Sequence, residues 1–112
     1  MENKRRFYRI EYPTDARPKL RIKKKSYEVI DISEEGVKFC YNEPAEEMHI
    51  GDKIKGEIVF RNNQSIRLEG RVMRLLKKNI IVKPKKSIPY EEVIIKEEIY
   101  VLKNYPLLKY AI

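Results

Sequence analysis

The sequence predicts a mainly β fold: a small antiparallel six-stranded β-barrel with a C-terminal α-helix and a flexible basic N-terminal arm. Three observations carry this expectation. From about residue 19 to residue 84, apolar and polar side chains alternate with period two, as in strands with one buried and one wet face. The alternating runs are short, five or six in number, and joined by few long loops; closure into a barrel would leave none of them with an exposed edge. At 112 residues the chain is long enough for one domain and too short for two. One domain is therefore expected over residues 1–112, with the arm at 1–12, the barrel at 17–84 and the helix at 88–105.

The arm comes first. Lys4, Arg5, Arg6 and Arg9 crowd a segment that Pro13 separates from the first strand, and such a tail repels itself and is expected to be mobile. Leu20 and Ile22 then alternate with Lys19 and Arg21, Ile30 is in phase with Ile32, and Val37 with Phe39 and Tyr41. In residues 53–61, KIKGEIVFR, one face carries Ile54, Gly56, Ile58 and Phe60, the other Lys53, Lys55, Glu57 and Arg61. After the turn residues Asn62 and Asn63, Ile66, Leu68, Gly70 and Val72 resume the alternation, which makes the pair a hairpin. A last run at residues 80–82 ends at Pro84. Ser87 is the expected cap of the helix, with Pro89 in its first turn and Glu91 and Glu92 near its positive end. Ile88, Ile95, Ile99 and Leu102 share one helical face, expected to pack on the barrel, and Pro106 stops the helix. The β-branched run Val93, Ile94, Ile95 suits a strand as well.

Composition narrows the chemistry. Lys and Arg number 25 against 17 Asp and Glu, a formal charge of +8, which favours an anionic partner: nucleic acid, nucleotide or membrane surface. The lone Cys40 excludes an internal disulfide and a multi-cysteine zinc site and reads as an inert thiol; the lone His49 excludes paired-histidine metal chemistry. No apolar run spans a bilayer, and the N-terminus lacks a signal-peptide apolar region, so a cytoplasmic protein is expected. No metal-ligand set, nucleophile–base pair or glycine-rich phosphate loop is present, and the expectation is a protein that is not an enzyme.

Two segments stand out: RRFYR, with Arg5 and Arg9 in RxxxR spacing, and residues 31–36, DISEEG, a DxSxxG pattern. In this order, ahead of alternating strands, they make residues 4–84 resemble the PilZ domain family, whose members bind the bacterial second messenger cyclic di-GMP. The residue types suit that ligand. Asp31 and Ser33, two apart on a strand, share the outer face while Ile30 and Ile32 turn inward to the core. Gly36 fits a turn that needs either positive φ or close approach of a ligand. An ionised Asp only accepts hydrogen bonds, which suits the N1–H and N2–H donors of guanine; the arginine fork matches guanine O6 and N7 and phosphate oxygens. The resemblance implies that Arg5 and Arg9 bind phosphates and guanine, Asp31 and Ser33 a guanine edge, and that Gly36 provides the backbone fit. Arg6 doubles the arginine pair, and Arg74, in the segment of residues 70–74 that resembles the strand flooring the site, adds a candidate. Residues 78–82, KNIIV, depart from the glycine and aromatic the family often carries in its last strand. Lys4 stands at the position the family links to binding one ligand or an intercalated pair, and leaves that choice open.

The resemblance implies a receptor whose arm orders on the ligand and which signals in trans to an unidentified effector or through self-association as a homodimer. Motility, secretion and exopolysaccharide production are the family's outputs. The helix and the apolar tail residues Leu107, Leu108, Ala111 and Ile112 are candidate interaction elements. The alternative is a basic barrel binding single-stranded nucleic acid, which needs exposed aromatic platforms; Phe39, Tyr41 and Phe60 are expected to face inward. Plainer readings stand beside these. The arm would be a solvated basic tail, DxSxxG an ordinary turn, and the lysines at 23–25 and 83–86 solvated faces or edge protection.

Overall fold

In the computed structural model, residues 9–42 and 48–106 are described; Arg5, Arg6, Lys4 and the tail from Leu107 lie outside them. Seven strands form in chain order: β1 (Ile10–Glu11), β2 (Lys19–Ile22), β3 (Lys25–Ser33), β4 (Gly36–Cys40), β5 (Lys53–Val59), β6 (Ser65–Leu75) and β7 (Asn79–Pro84). A π-helical turn, Tyr90–Ile94, leads into α1 (Ile95–Asn104). The hydrogen-bonded order β3-β2-β5-β6-β7-β4 returns to β3, closing a six-stranded antiparallel barrel, and β1 is one strand more.

β3 explains that extra strand. β2 pairs with its first half, Lys25 to Glu28, while β4 takes the opposite edge from Val29 to Ser33. The edge that β2 leaves free is taken by β1, with Ile10 opposite Ile32 and Glu11 opposite Asp31. Residues 10–12 are therefore part of the barrel rather than of a free arm, and Ile10 and Tyr12 are buried.

Period-two alternation fills the core as expected: Leu20, Val37, Phe39, Ile54, Ile58, Leu68, Val72, Ile80 and Val82 are all buried. Gly70 is where the barrel wall is tightest, since a Cβ there would sit 2.2 Å from the Lys83 carbonyl oxygen. The β5–β6 turn contains Asn63 at φ 60, a left-handed conformation that asparagine tolerates.

Three expectations are corrected. Ile30 is half-buried, not core; Val29 takes its place because the β3–β4 register slips between Val29 and Asp31, leaving Ile30 as the extra residue of a β-bulge. The helix also turns a different face inward. Ile88 is buried, but Ile99 is 59% exposed and Leu102 is exposed, whereas Val93, Ile94, Glu97 and Val101 are buried. The π-helical first turn, with Val93 and Ile94 both donating to the Pro89 carbonyl, rotates everything after it relative to a pure α-helix. Ser87 caps nothing; its hydroxyl donates to the Glu35 carboxylate.

A buried carboxylate docks α1 on the barrel. Glu97, 5% exposed, accepts the Tyr12 hydroxyl at 2.6 Å and a two-pronged bond from Arg61 at 3.2 and 2.9 Å. The Arg61 guanidinium lies 3.3 Å above the Tyr100 ring. Burial, then the charge of Glu97, pushes the Tyr12 phenol well above its ordinary range. Burial is the largest single influence and works against the Arg61 charge, yet the Glu97 bond and charge together with Tyr100 and Tyr12 outweigh it and hold the guanidinium above its usual value.

Candidate functional site

The DxSxxG segment is a hairpin. Ser33 pairs with Gly36 across the two-residue turn of Glu34 and Glu35, which places Ile32 opposite Val37 and Asp31 opposite Lys38. Lys38 is opposite Ile81 on β7, and Ile81 opposite Arg74 on β6. With Glu11 beside Asp31, one row runs Glu11, Asp31, Lys38, Ile81, Arg74 across five strands on the outside of the barrel.

Two bulges build this row. In β6 the register slips between Val72 and Arg74, so Met73 is the extra residue and Arg74 comes opposite Ile81. In β3 the turn sets Asp31 opposite Lys38, and the slip over Ile30 joins that register to Val29 opposite Phe39. Each bulge replaces an apolar residue in the row with a charged one, the re-aiming that bulges perform beside functional sites.

Asp31 is the least solvated of the described candidates, 4% exposed. Its Oδ2 has no hydrogen-bond partner among the described residues; the Lys38 ammonium stands 3.7 Å away, an ion-pair distance. Burial pushes the Asp31 carboxyl above the usual aspartate range, against the opposing pull of Lys38 and Arg9. Ser33 is half-buried and its Oγ accepts the Glu35 amide at 3.3 Å, so the ordinary serine turn is present as well.

Gly36 does not sit at positive φ. A Cβ built on it would lie 3.8 Å from Ser33 Oγ and 3.9 Å from Ile81 Cγ2, ordinary contact distances. The fold therefore does not demand glycine here. The turn is also tied to the segment before α1: Ile88 N–H donates to the Glu34 carbonyl at 2.9 Å, Lys83 pairs with Glu35 at 3.7 Å, and Ser87 bonds Glu35.

Of the candidates, Asp31, Ser33, Gly36 and Arg74 thus share one outer surface, and exposed Arg9 leads into β1 close enough for its charge to act on Asp31. Arg5 and Arg6 lie outside the described residues. Sequence reasoning passed over Lys38 and Ile81. The signal for Lys38 was present: a two-residue turn closed by Ser33 and Gly36 forces residue 38 opposite residue 31.

A family model described as PilZ domain matches residues 3–87. The chain belongs to the PilZ domain family. No curated protein matched the sequence. PilZ domains are receptors that bind cyclic di-GMP, and the barrel of this PilZ domain carries its DxSxxG hairpin on the outer wall, at the end of β3 reached by β1. Among the described residues no cluster of His, Cys, Asp and Glu is arranged to hold a metal ion, and no helix is long and apolar enough to cross a membrane. His49 and Asp52 form a surface pair at 3.7 Å, and half-buried Cys40 has the Arg17 guanidinium 3.8 Å from its sulfur.

Proposed function

We propose that this PilZ domain is a bacterial cytoplasmic receptor for cyclic di-GMP, bound on the outer row of Asp31, Lys38, Ile81 and Arg74 and covered by the arm. The observation that carries the reading is the buried Asp31 Oδ2 without a hydrogen-bond partner among the described residues, in a row with two cations. A buried acceptor left unsatisfied costs about 1–3 kcal/mol, and a guanine N1–H and N2–H edge would satisfy it. Ser33 supports the same edge. Arg5, Arg6 and Arg9 close over phosphates and guanine from the arm, and Arg74 serves the far side of the floor. Gly36 leaves the Ile81 side chain open to a base from above.

The ligand orders the arm, and the ordering cost comes out of its binding energy. The new surface then engages an effector in trans, or a second copy, with motility, secretion or exopolysaccharide production as outputs. The single-stranded nucleic-acid reading gains no support: Phe39, Tyr41 and Phe60 are buried, and Tyr27 packs on Phe39 and Tyr41 with ring centroids 5.6 Å apart in each case.

Calorimetric titration with cyclic di-GMP tests the proposal, with GTP and a single-stranded oligonucleotide as controls. Selective saturable binding is expected, and its stoichiometry distinguishes one ligand from an intercalated pair. Binding of the oligonucleotide with no heat and no thermal shift from cyclic di-GMP overturns it.

A further inference from the structure

The wall formed by β5, β6 and β7 carries a second charged surface that the cyclic di-GMP reading does not use. Lys53, Arg71 and Lys83 face outward directly opposite one another on the three strands. The next row is Lys55, Glu69 and Lys85, the last two joined by the bond from Lys85 N–H to the Glu69 carbonyl at 2.7 Å. Like charges directly opposite across strands destabilise a sheet. Only Lys83 of the lysines in these rows has an ion pair among the described residues, with Glu35 at 3.7 Å. Edge protection accounts for Lys53, Lys55 and Lys83, which stand where β5 and β7 have only β6 beside them, but not for Arg71, which has a strand on both sides.

These side chains line a cleft of about 560 Å³ to which Lys23 adds another cation. Its apolar part is supplied by Ile22, Ile54 and Pro84, of which Ile54 and Pro84 are buried. We propose that this cleft is a docking surface for an acidic, extended segment of a partner protein that carries one apolar anchor side chain. Glu69 decides among anionic partners. A carboxylate in the middle of the second row repels a compact polyphosphate or a phosphodiester backbone, whereas a peptide can place its carboxylates over the outer cations and an amide or hydroxyl donor over Glu69. Among the described residues no aromatic side chain lines the cleft to stack a base. Ile54 and Pro84 line the cleft but are buried, so they cannot enter a lipid layer but can receive a single anchor side chain.

The test uses the full chain, isotope-labelled, titrated with a short synthetic peptide of alternating Glu and Ser around one Leu. The expected result is saturable, salt-sensitive perturbation of amide signals in β5, β6 and β7. The double variant Lys53→Glu and Lys85→Glu weakens that binding about tenfold or more while its melting midpoint stays unchanged. Replacing the peptide's Leu by Ser weakens binding without moving its location. Perturbations centred on α1 or on the DxSxxG hairpin overturn the proposal. So do tighter binding of a single-stranded oligonucleotide or of anionic phosphatidylglycerol vesicles at the same strands, an affinity unmoved by the charge reversals, and no binding of the peptide.

Discussion

Replacing Gly36 by alanine adds one methyl group to the outer face of β4, between Ser33 Oγ and Ile81 Cγ2, at 3.8 and 3.9 Å. Those are ordinary contact distances, and the backbone there is not left-handed, so neither a clash nor a strained φ results. The fold should lose nothing and gain up to about 0.4–1 kcal/mol, because alanine restricts the unfolded chain more than glycine does. Binding should respond in the opposite direction. A methyl forced under a closely seated ligand costs about 1–3 kcal/mol, as an extra methylene does in a packed interior, which corresponds to roughly 5- to 150-fold in affinity. Thermal melting without ligand and calorimetry with cyclic di-GMP read the two effects separately. A melting midpoint lowered by more than about 4 °C would make Gly36 a folding requirement, since that corresponds to about 1 kcal/mol. Unchanged affinity would show that no ligand approaches β4 at this point.

Three further outcomes are expected. Asp31→Asn should raise stability at neutral pH by about 1 kcal/mol, because it removes a buried charge that the Lys38 ion pair offsets only in part and whose Oδ2 accepts no hydrogen bond among the described residues. The folded-state carboxyl titrates above the unfolded one, so the wild type loses stability as pH rises through that window; the gain in Asp31→Asn should shrink on acidification, and a pH-independent gain in melting temperature would contradict the assignment. Glu97→Ala strands the Tyr12 hydroxyl and the Arg61 guanidinium together and should cost about 3 kcal/mol in urea unfolding; a loss under about 1 kcal/mol would mean the helix docks by its apolar contacts alone. Arg9→Ala, at an exposed position, should leave the melting midpoint within about 2 °C while weakening cyclic di-GMP binding about tenfold or more, and a parallel loss of both would make Arg9 structural.

Period-two alternation made most of the barrel legible in the sequence, because Leu20, Ile54, Ile58, Leu68 and Val82 needed only a count along each strand. The two bulges were not legible in that way. Ile30 and Met73 are ordinary strand residues, and only cross-strand pairing shows that they are the extra ones. Asp31 and Ser33 were nonetheless assigned to the outer face, since alternation backward from Ile32 reaches Asp31 before the bulge intervenes. The helix face was misjudged for a related reason: a π-helical turn at Tyr90–Ile94 fits more residues into each turn, so a stripe counted at α-helical spacing from Ile88 through Ile95 leaves Ile99 and Leu102 exposed. Glu97 was passed over because a carboxylate on a helix is normally solvated, and nothing near it in sequence announces Tyr12 or Arg61.

The short pairing of β1 with β3 has a consequence for how tightly a small molecule can be held. Ile10 and Tyr12 anchor the chain in the barrel, which makes Arg9 the first residue beyond a fixed point next to Asp31. Arg5 is four residues upstream. Covalent geometry alone keeps its Cα within about 14 Å of that of Arg9. A group confined to a sphere of that radius is present at an effective concentration on the order of 0.1 M, far above any cellular concentration of a free cation donor with the same chemistry. The second arginine therefore meets a ligand already seated on the barrel almost as an intramolecular event. Lengthening the chain between Arg9 and Ile10 with glycine and serine should dilute that advantage gradually, residue by residue, without touching a single contact on the barrel wall.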